Sequence, residues 1–195
     1  MQKMRQVVTK DVGDEKVEYS IVWGNEKIVF IKAGAGGSTR GFQDKYVKMA
    51  ERINKLMGAT VICASNPCVP HKGLDEEAIR WVISEKGSVD FEVYFVGTSD
   101  GAYKNLSLAK KFPQTVKILG INASYITVEG LMDKLKDLPN ADKVLICGTK
   151  DIDSMLYIEP IRKAGIPKLK MQLVEGADHK FVGMLDEFIS LVDML

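Results

Sequence analysis

The chain has few cysteines and no long apolar segments, which are features that mark several classes of protein. It has only three cysteines, and none are paired in a Cys-x-x-Cys spacing, so the sequence predicts neither a disulfide framework nor a zinc site. No segment approaches the roughly 18 uninterrupted apolar residues of a membrane-spanning helix. The first twenty residues lack the apolar stretch of a secretory signal. These shortages predict a cytoplasmic protein with no bound metal and no membrane partner.

The chain also has almost no excess of charge of either sign. The chain has 27 Lys and Arg residues against 26 Asp and Glu residues, which leaves a net charge of +1. Binding to a nucleic acid calls for clustered positive charge, so we expect no nucleic-acid partner. Histidine is rarer still, with only His71 and His179 in 195 residues. A catalytic histidine could therefore be only one of these two side chains.

Hydrophobic patterning divides the chain into short apolar runs and amphipathic segments. With 46% hydrophobic residues, a chain of this length can bury one core, and we expect a single domain over residues 1–195. The predicted strands are 6–10, 17–23, 28–32, 60–65, 91–96, 116–122, 143–147 and 168–174. The predicted helices are the segment DKYVKMAERINKLM closed by Gly58, then 75–85, 102–111, 128–135, 155–164 and 181–195.

The alternation of these elements predicts the fold class. Apolar strands separated by amphipathic helices are typical of an α/β protein, in which helices cover both faces of a mostly parallel sheet. Ligands of such sheets bind in the loops that follow the carboxyl ends of the strands. We therefore expect the functional residues in those loops.

The stretch Gly97-Thr98-Ser99-Asp100-Gly101 lies between a predicted strand and a predicted helix. It has the Gly-x-Ser-x-Gly spacing of a serine on a sharp strand-to-helix turn. Glycine is needed two residues before and after the serine because the incoming strand and the outgoing helix almost touch there. The helix N-terminus behind Ser99 directs backbone N–H groups and a positive dipole toward the hydroxyl. Such a turn suits an oxyanion, although a Gly-rich structural turn has the same composition.

The order of elements, with two or three opening strands followed by β-α alternation and this turn, resembles the α/β-hydrolase fold over nearly the whole chain. The resemblance implies that Ser99 is a nucleophile, followed in chain order by an acid and then a histidine. A serine hydroxyl needs such a base to attack a carbonyl group. Both histidines follow predicted strands, but only His179 comes after Ser99. We therefore expect His179 to be the base.

The segment after strand 143–147 offers two candidates for the orienting acid, Asp151 and Asp153. The resemblance implies an acid just past this strand in a Gly-x-x-Asp arrangement, which Gly148 to Asp151 matches. It therefore favours Asp151 and leaves Asp153 as the alternative. Each aspartate is also typical of a helix N-cap or a turn.

The resemblance also implies an oxyanion hole with two N–H donors. One is Asp100, directly after the nucleophile, and the other comes from the loop 33–38, Ala-Gly-Ala-Gly-Gly-Ser. This loop resembles the His-Gly-x-Gly loop of lipases and esterases, and the alignment points to the N–H of Ala35. Ala33 stands where that family often has histidine. A nucleotide-binding loop is disfavoured because no Gly-Lys-Ser/Thr sequence follows, so we expect no cofactor.

The loops at the same sheet edge supply candidates for substrate binding. Arg40, His71 and Tyr125 lie in these loops, although each is also typical of an ordinary surface loop. Only residues 123–127 separate the strand 116–122 from the next helix, where capped hydrolases insert a lid. The chain thus resembles the small lidless carboxylesterases and acyl-protein thioesterases.

The resemblance therefore implies a serine hydrolase that cleaves small-molecule esters or thioesters through an acyl-enzyme. Two alternatives use the same fold. One is a binding protein with an idle triad, since a fold does not determine a function. The other is a small peptidase or amidase with the same triad, because the choice of leaving group depends on the shape of the pocket.

Overall fold

A computed structural model of the chain describes residues 5–87 and 89–195. Within them, a hairpin of two strands leads into alternating strands and helices. The strands are β1 (Arg5–Val12), β2 (Glu15–Val22), β3 (Asn25–Lys32), β4 (Ala59–Ala64), β5 (Glu92–Thr98), β6 (Thr115–Ile121), β7 (Asp142–Gly148) and β8 (Leu169–Val174). The helices are α1 (Lys45–Met57), α2 (Leu74–Lys86), α3 (Asp100–Ala109), α4 (Val128–Lys136), α5 (Ile152–Lys163) and α6 (Leu185–Ser190).

All of these strands belong to one sheet, in the order β1-β2-β4-β3-β5-β6-β7-β8. The β1–β2 and β2–β4 pairs are antiparallel, and the other neighbours are parallel. The predicted mostly parallel α/β sheet is therefore confirmed. Because β3 to β8 all run in the same direction, the loops that follow them all emerge at one edge of the sheet.

Successive side chains of the central strands enter two different cores. In β5, Val93 and Phe95 belong to one apolar cluster, whereas Tyr94 and Val96 belong to the other. Helices α2 to α5 contribute to the first cluster and helices α1 and α6 to the second. This two-sided burial explains why the strands are continuous apolar runs rather than alternating ones.

Two helices begin three or more residues away from their predicted starts. Helix α6 begins at Leu185 rather than at residue 181, because Phe181 (φ 57°) and Gly183 (φ 75°) have left-handed backbones that a helix excludes. A 3₁₀ turn, Leu191–Met194, follows it. Helix α5 begins at Ile152, three residues before the predicted start. Both starts lie beside the sheet edge that carries the loops.

The connection between β6 and α4 is short, as predicted. It comprises residues 122–127, and no lid is inserted there. Over the residues that the structure describes, no helix has the length and apolar character needed to cross a membrane.

Candidate active site

Ser99 lies in the turn between β5 and α3, at the edge where the parallel strands end. Its backbone angles are φ 52° and ψ −126°, a conformation that costs a non-glycine residue roughly 1–3 kcal/mol. The Ser99 N–H donates to the carbonyl oxygen of Ile121 at 2.9 Å, which ties the turn to the end of β6. Strain of this kind is typical of a serine presented on a sharp strand-to-helix turn.

Close backbone packing explains the two glycines that flank Ser99. A Cβ atom on Gly97 would lie 2.4 Å from the Cα of Ala102. On Gly101, a Cβ atom would lie 2.3 Å from the carbonyl oxygen of Ala33 and 2.5 Å from that of Lys32. Backbone atoms cannot move aside as flexible side chains can. Glycine is therefore required at both positions for β3, β5 and α3 to approach one another.

Gly101→Ala should destabilise the protein by about 2 kcal/mol, because the new methyl group overpacks against two carbonyl oxygens of β3 and its loop. Gly130→Ala in α4 is the matched control. There the nearest obstacle is the side-chain hydroxyl of Thr127 at 3.1 Å, and the better helix propensity of alanine should keep the change below about 1 kcal/mol. Urea unfolding measures both values. Equal stability of the two variants would contradict this account.

Ser99, His179 and Asp151 form a continuous chain of hydrogen bonds. The Nε2 atom of His179 lies 3.0 Å from Ser99 Oγ, and its Nδ1 atom lies 3.0 Å from Asp151 Oδ2. A carboxylate on Nδ1 holds the proton there and leaves Nε2 free to accept the serine proton. The three residues follow β5, β7 and β8, so the parallel sheet brings them together across large sequence separations.

Asp151 occupies the N-cap position of α5, but its carboxylate forms no capping hydrogen bond with the helix. It accepts hydrogen bonds from His179 and from the hydroxyl of Ser154 instead. The aspartate is 4% exposed, whereas the side chain of His179 is 39% exposed. The carboxylate is thus buried under the imidazole, and the imidazole faces solvent and any substrate.

Asp153, the alternative acid, lies in the first turn of α5 and is exposed. Its position suits the N-terminal end of the helix dipole. The aspartate that contacts His179 is Asp151.

The loop after β3 lies directly against Ser99. A Cβ atom on Gly34 would be 3.3 Å from the Cβ of Ser99. The loop forms a turn in which the Gly37 N–H donates to the Gly34 carbonyl oxygen at 2.9 Å. Ala35 lies within this turn. The N–H of Asp100 is at the first residue of α3, where an α-helix provides no intrahelical acceptor. Both predicted donors are therefore at this end of the sheet.

Asn66 anchors this loop, in which Ala33 replaces the histidine of the resemblance. Its side-chain Nδ2 donates to the Ala33 carbonyl oxygen at 2.9 Å. Its backbone accepts from the Gly36 N–H at 2.7 Å and donates to the Gly37 carbonyl oxygen at 2.8 Å. The loop is thus held on both sides by one buried asparagine from the end of β4.

The carboxylate of Asp100 is engaged by the same anchor. It accepts from Asn66 Nδ2 at 2.9 Å and pairs with Lys104 Nζ at 2.8 Å. Burial opposes its charge, but the hydrogen bonds from Lys104 and Asn66, with the positive charges of Lys104 and Lys32, hold the pKa of Asp100 below its usual value. The side chain thus supports the loop, and the backbone N–H is the only part of Asp100 required for an oxyanion hole.

Tyr46 of α1 hydrogen-bonds on the other side of this loop. Its hydroxyl lies 2.6 Å from Thr98 Oγ1, at the end of β5. Burial raises the pKa of Tyr46, although hydrogen bonds from Thr98 and from the backbone of Gly34 oppose that rise. The hydroxyl is therefore a neutral bridge between the residue before Ser99 and the glycine beside it.

The structure places His71 in a buried network beside the site. Its Nδ1 faces the Val69 carbonyl oxygen at 2.9 Å, and its Nε2 faces Lys32 Nζ at 3.0 Å. Lys32 is fully buried and pairs with Asp75 at 2.8 Å; burial lowers its pKa although Asp75 opposes the shift. Both ring nitrogens of His71 are thus occupied by the protein, and the residue lines a cleft of about 390 Å³ with Tyr103.

The other two candidates for substrate binding lie on separate loops. Arg40 is exposed and pairs with Asp44 at 2.7 Å. Tyr125 is half-buried and packs edge-on against Tyr157, with ring centroids 5.5 Å apart. Neither residue hydrogen-bonds to Ser99, Asp151 or His179 in the part of the chain that the structure describes.

The sequence analysis missed the polar residues that support the site. A weak signal exists only for those at strand ends, because a polar residue at the end of a continuous apolar strand is unusual and marks the ligand-binding edge of such sheets. Those residues are Lys32, Asn66, Thr98 and Asn122 at strand ends, with Tyr46 in α1 and Ser154 in α5. Within residues 5–87 and 89–195, no group of three or more His, Cys, Asp or Glu side chains is placed to hold a metal ion.

Comparison with protein-family models finds no match, and neither does comparison with curated proteins. Solved structures do match over nearly the whole chain. Dienelactone hydrolase from Anabaena variabilis is 17% identical, with a TM-score of 0.71 over 100% of this chain and 97% of that one. Est1E from Butyrivibrio proteoclasticus is 14% identical, with a TM-score of 0.71 over 96% of each chain. An alpha-beta serine hydrolase homologue from Coxiella burnetii is 16% identical, with a TM-score of 0.70 over 97% of each chain.

These likenesses show that the chain has the α/β-hydrolase fold. Because the sequence identities are low, these comparisons show the fold alone, and one fold supports many functions.

Proposed function

We propose that this protein is a serine hydrolase that cleaves carboxylic esters or thioesters of small molecules through an acyl-enzyme. One observation carries the proposal: Ser99 Oγ, His179 and the buried Asp151 are joined by two hydrogen bonds of 3.0 Å. This arrangement activates a serine for attack on a carbonyl carbon. The strained backbone of Ser99 supports the same role, because strain of this kind clusters at functional sites.

In the first half of the reaction, Ser99 Oγ forms a bond to the carbonyl carbon while its proton passes to His179 Nε2. The positively charged imidazole is stabilised by Asp151, which remains ionised. His179 then gives the proton to the leaving alcohol or thiol as its bond to carbon breaks. In the second half, His179 removes a proton from water and the water oxygen forms a bond to the acyl carbon. The bond between that carbon and Ser99 Oγ then breaks, His179 returns the proton to Oγ, and the acid is released.

The negative oxygen of each tetrahedral intermediate would be bound by the N–H groups of Ala35 and Asp100. Their geometry is preorganised by the anchors already described, namely Asn66 on the loop after β3 and the N-terminus of α3. Preorganised donors of this kind are worth on the order of 3 kcal/mol each in the transition state. The reaction needs no cofactor.

The names of the structural neighbours support the ester class. They include a dienelactone hydrolase, Est1E, the esterase domain of a Rhodothermus marinus protein and a ferulic acid esterase. One neighbouring structure contains ferulic acid bound to Est1E. The short connection 122–127 leaves the site without a lid, which suits small substrates. We propose that Arg40, His71 and Tyr125 form parts of the walls around such a substrate.

The choice between an esterase and an amidase is tested with matched substrates. We expect kcat/KM for a p-nitrophenyl ester to exceed that for the p-nitroanilide of the same acyl group by at least about 100-fold, because an open site offers few contacts to assist a poor leaving group. A thioester of the same acyl group should be cleaved at a rate close to that of the ester. A higher kcat/KM for the anilide would favour the peptidase alternative.

The binding-protein alternative makes a different prediction. If the triad were idle, no ester, thioester or amide would be cleaved, and a fluorophosphonate probe would leave the protein unlabelled. Two observations argue against this alternative. The three side chains are joined by hydrogen bonds, and the backbone of Ser99 has strain of the kind that clusters at functional sites.

A further inference from the structure

Asn122 is the first residue after β6 and is almost completely buried, with 1% of its surface exposed. Its φ of 44° is in the left-handed region, which asparagine tolerates better than most residues. Its own N–H donates to the Ile146 carbonyl oxygen of β7 at 2.8 Å. The backbone thus turns sharply at Asn122, and the turn directs the side chain into the space between β6, β7 and the loop after β8.

Both N–H hydrogens of the Asn122 carboxamide donate to the loop 175–184, which carries His179 and is called the histidine loop below. Its Nδ2 donates to the carbonyl oxygen of Asp178 at 3.0 Å and to that of His179 at 3.1 Å. The loop 175–184 contains no helix or strand. These two hydrogen bonds therefore tether the backbone that carries the imidazole to the body of the sheet.

The oxygen of the same carboxamide is used on the segment that carries Asp151. Asn122 Oδ1 accepts from the Gly148 N–H at 2.8 Å and lies 3.5 Å from Ser154 Oγ. The Gly148 carbonyl oxygen accepts from the Asp151 N–H at 3.0 Å, and Ser154 donates to the Asp151 carboxylate. One carboxamide thus joins the segments that carry the acid and the base.

The serine is connected to the same place through its backbone. Its N–H donates to the carbonyl oxygen of Ile121, the residue directly before Asn122. We propose that Asn122 is a positioning residue that sets the distance of His179 from Asp151 and from Ser99. This inference rests on the proposed serine hydrolase function for its effect on catalysis, but the tether itself is a structural claim that can be measured separately.

Asn122→Gly tests the proposal directly, because glycine accepts the positive φ and removes the side chain that carries the carboxamide. We expect kcat for p-nitrophenyl acetate to fall on the order of 100-fold, since a displacement of about 1 Å in a catalytic group has that effect. KM should stay within about twofold, because substrate binding is not touched. Labelling by a fluorophosphonate probe should slow by a similar factor.

Asn105→Ala is the matched control for loss of a buried carboxamide. Asn105 is also 1% exposed, and its Nδ2 donates to the Val96 carbonyl oxygen at 3.0 Å, away from the histidine loop. We expect this variant to have a lower melting temperature and an unchanged kcat. A purely structural role for Asn122 would give the same result in Asn122→Gly, with lower stability and full activity.

Asn122→Asp is a second variant in case the glycine variant does not fold. Aspartate keeps the size and the tolerance for a left-handed backbone but lacks both donor hydrogens. We expect kcat to fall at least as far as in Asn122→Gly, since a carboxylate would face two carbonyl oxygens. Folded variants at position 122 with kcat within about threefold of wild type would overturn the proposal.

Failure of the proposed function is distinguishable from failure of this inference. If wild-type protein neither hydrolyses esters nor reacts with the probe, the function fails and the tether is tested by crystal structures of wild type and Asn122→Gly. The inference holds if the imidazole of His179 loses its contact with Asp151 in the variant. It is overturned if the imidazole keeps its position.

Discussion

Ser99→Ala should lower kcat for p-nitrophenyl acetate by about 10⁴- to 10⁶-fold, which is the range seen when a member of such a triad is removed. The reason is chemical: without Oγ no covalent bond to the acyl group can form, and the 3.0 Å contact with His179 Nε2 has no proton to transfer. The remaining rate would come from the oxyanion donors and substrate binding alone. Steady-state kinetics and labelling by a fluorophosphonate probe measure the loss.

Two comparisons make the result specific to the hydroxyl of Ser99. Ser107→Ala on α3, where the hydroxyl accepts a hydrogen bond from Lys134, should keep full activity and full labelling. Ser99→Ala should also keep a melting temperature near that of wild type, because alanine and serine bear a similar strain at φ 52°. Persistent labelling of Ser99→Ala would remove Ser99 from its proposed role.

The sequence predicted the layers of the fold because burial on both sides of the sheet leaves a visible pattern. Continuous apolar runs such as β5 and β7 are typical of parallel strands, and amphipathic helices of adequate length separate them. The last helix was predicted too long for an equally physical reason. Asp178 accepts the N–H groups of Lys180 and Val182, and this tight turn replaces the helical backbone. Hydrophobic spacing contains no information about such a turn.

The candidate triad could be predicted from the sequence largely because the direction of the strands determines the edge of the sheet at which each residue lies. Once Ser99, Asp151 and His179 are each placed after a parallel strand, they must emerge at one edge of the sheet. The structure brings them within hydrogen-bonding distance. The choice of His179 over His71 and of Asp151 over Asp153 depended on the resemblance. Both histidines follow strands at this edge, and both aspartates lie within the same loop and helix start.

The supporting residues could not be predicted because their partners are distant in sequence. Asn122 contacts Asp178 and His179, which are 56 and 57 residues away, and Asn66 contacts Ala33, which is 33 residues away. No local pattern connects such pairs. At position 33 the chain has alanine where the resemblance implies a histidine. The loop is nevertheless held in place, because Asn66, which follows the neighbouring strand β4, anchors it.

Asp151→Asn should lower kcat by about 10⁴-fold while leaving the shape of the site intact. The carboxylate accepts the Nδ1 proton of His179, whereas an asparagine amide group can present a donor to that nitrogen and favour the opposite tautomer. The imidazole would then carry its proton on Nε2 and could not accept the proton of Ser99. The variant should also lose the charge that stabilises the imidazolium formed in each half of the reaction.

Asp153→Asn provides the matched control, because it removes the same charge two residues away on the same helix. Asp153 is exposed in the first turn of α5, so its loss should weaken only the favourable interaction with the helix dipole, by roughly 0.3–1 kcal/mol of stability. Its kcat should remain within about twofold of wild type, since the proton relay is untouched. If the two variants instead exchange effects, so that Asp153→Asn is the inactive one, the acid that orients His179 in the working enzyme is Asp153.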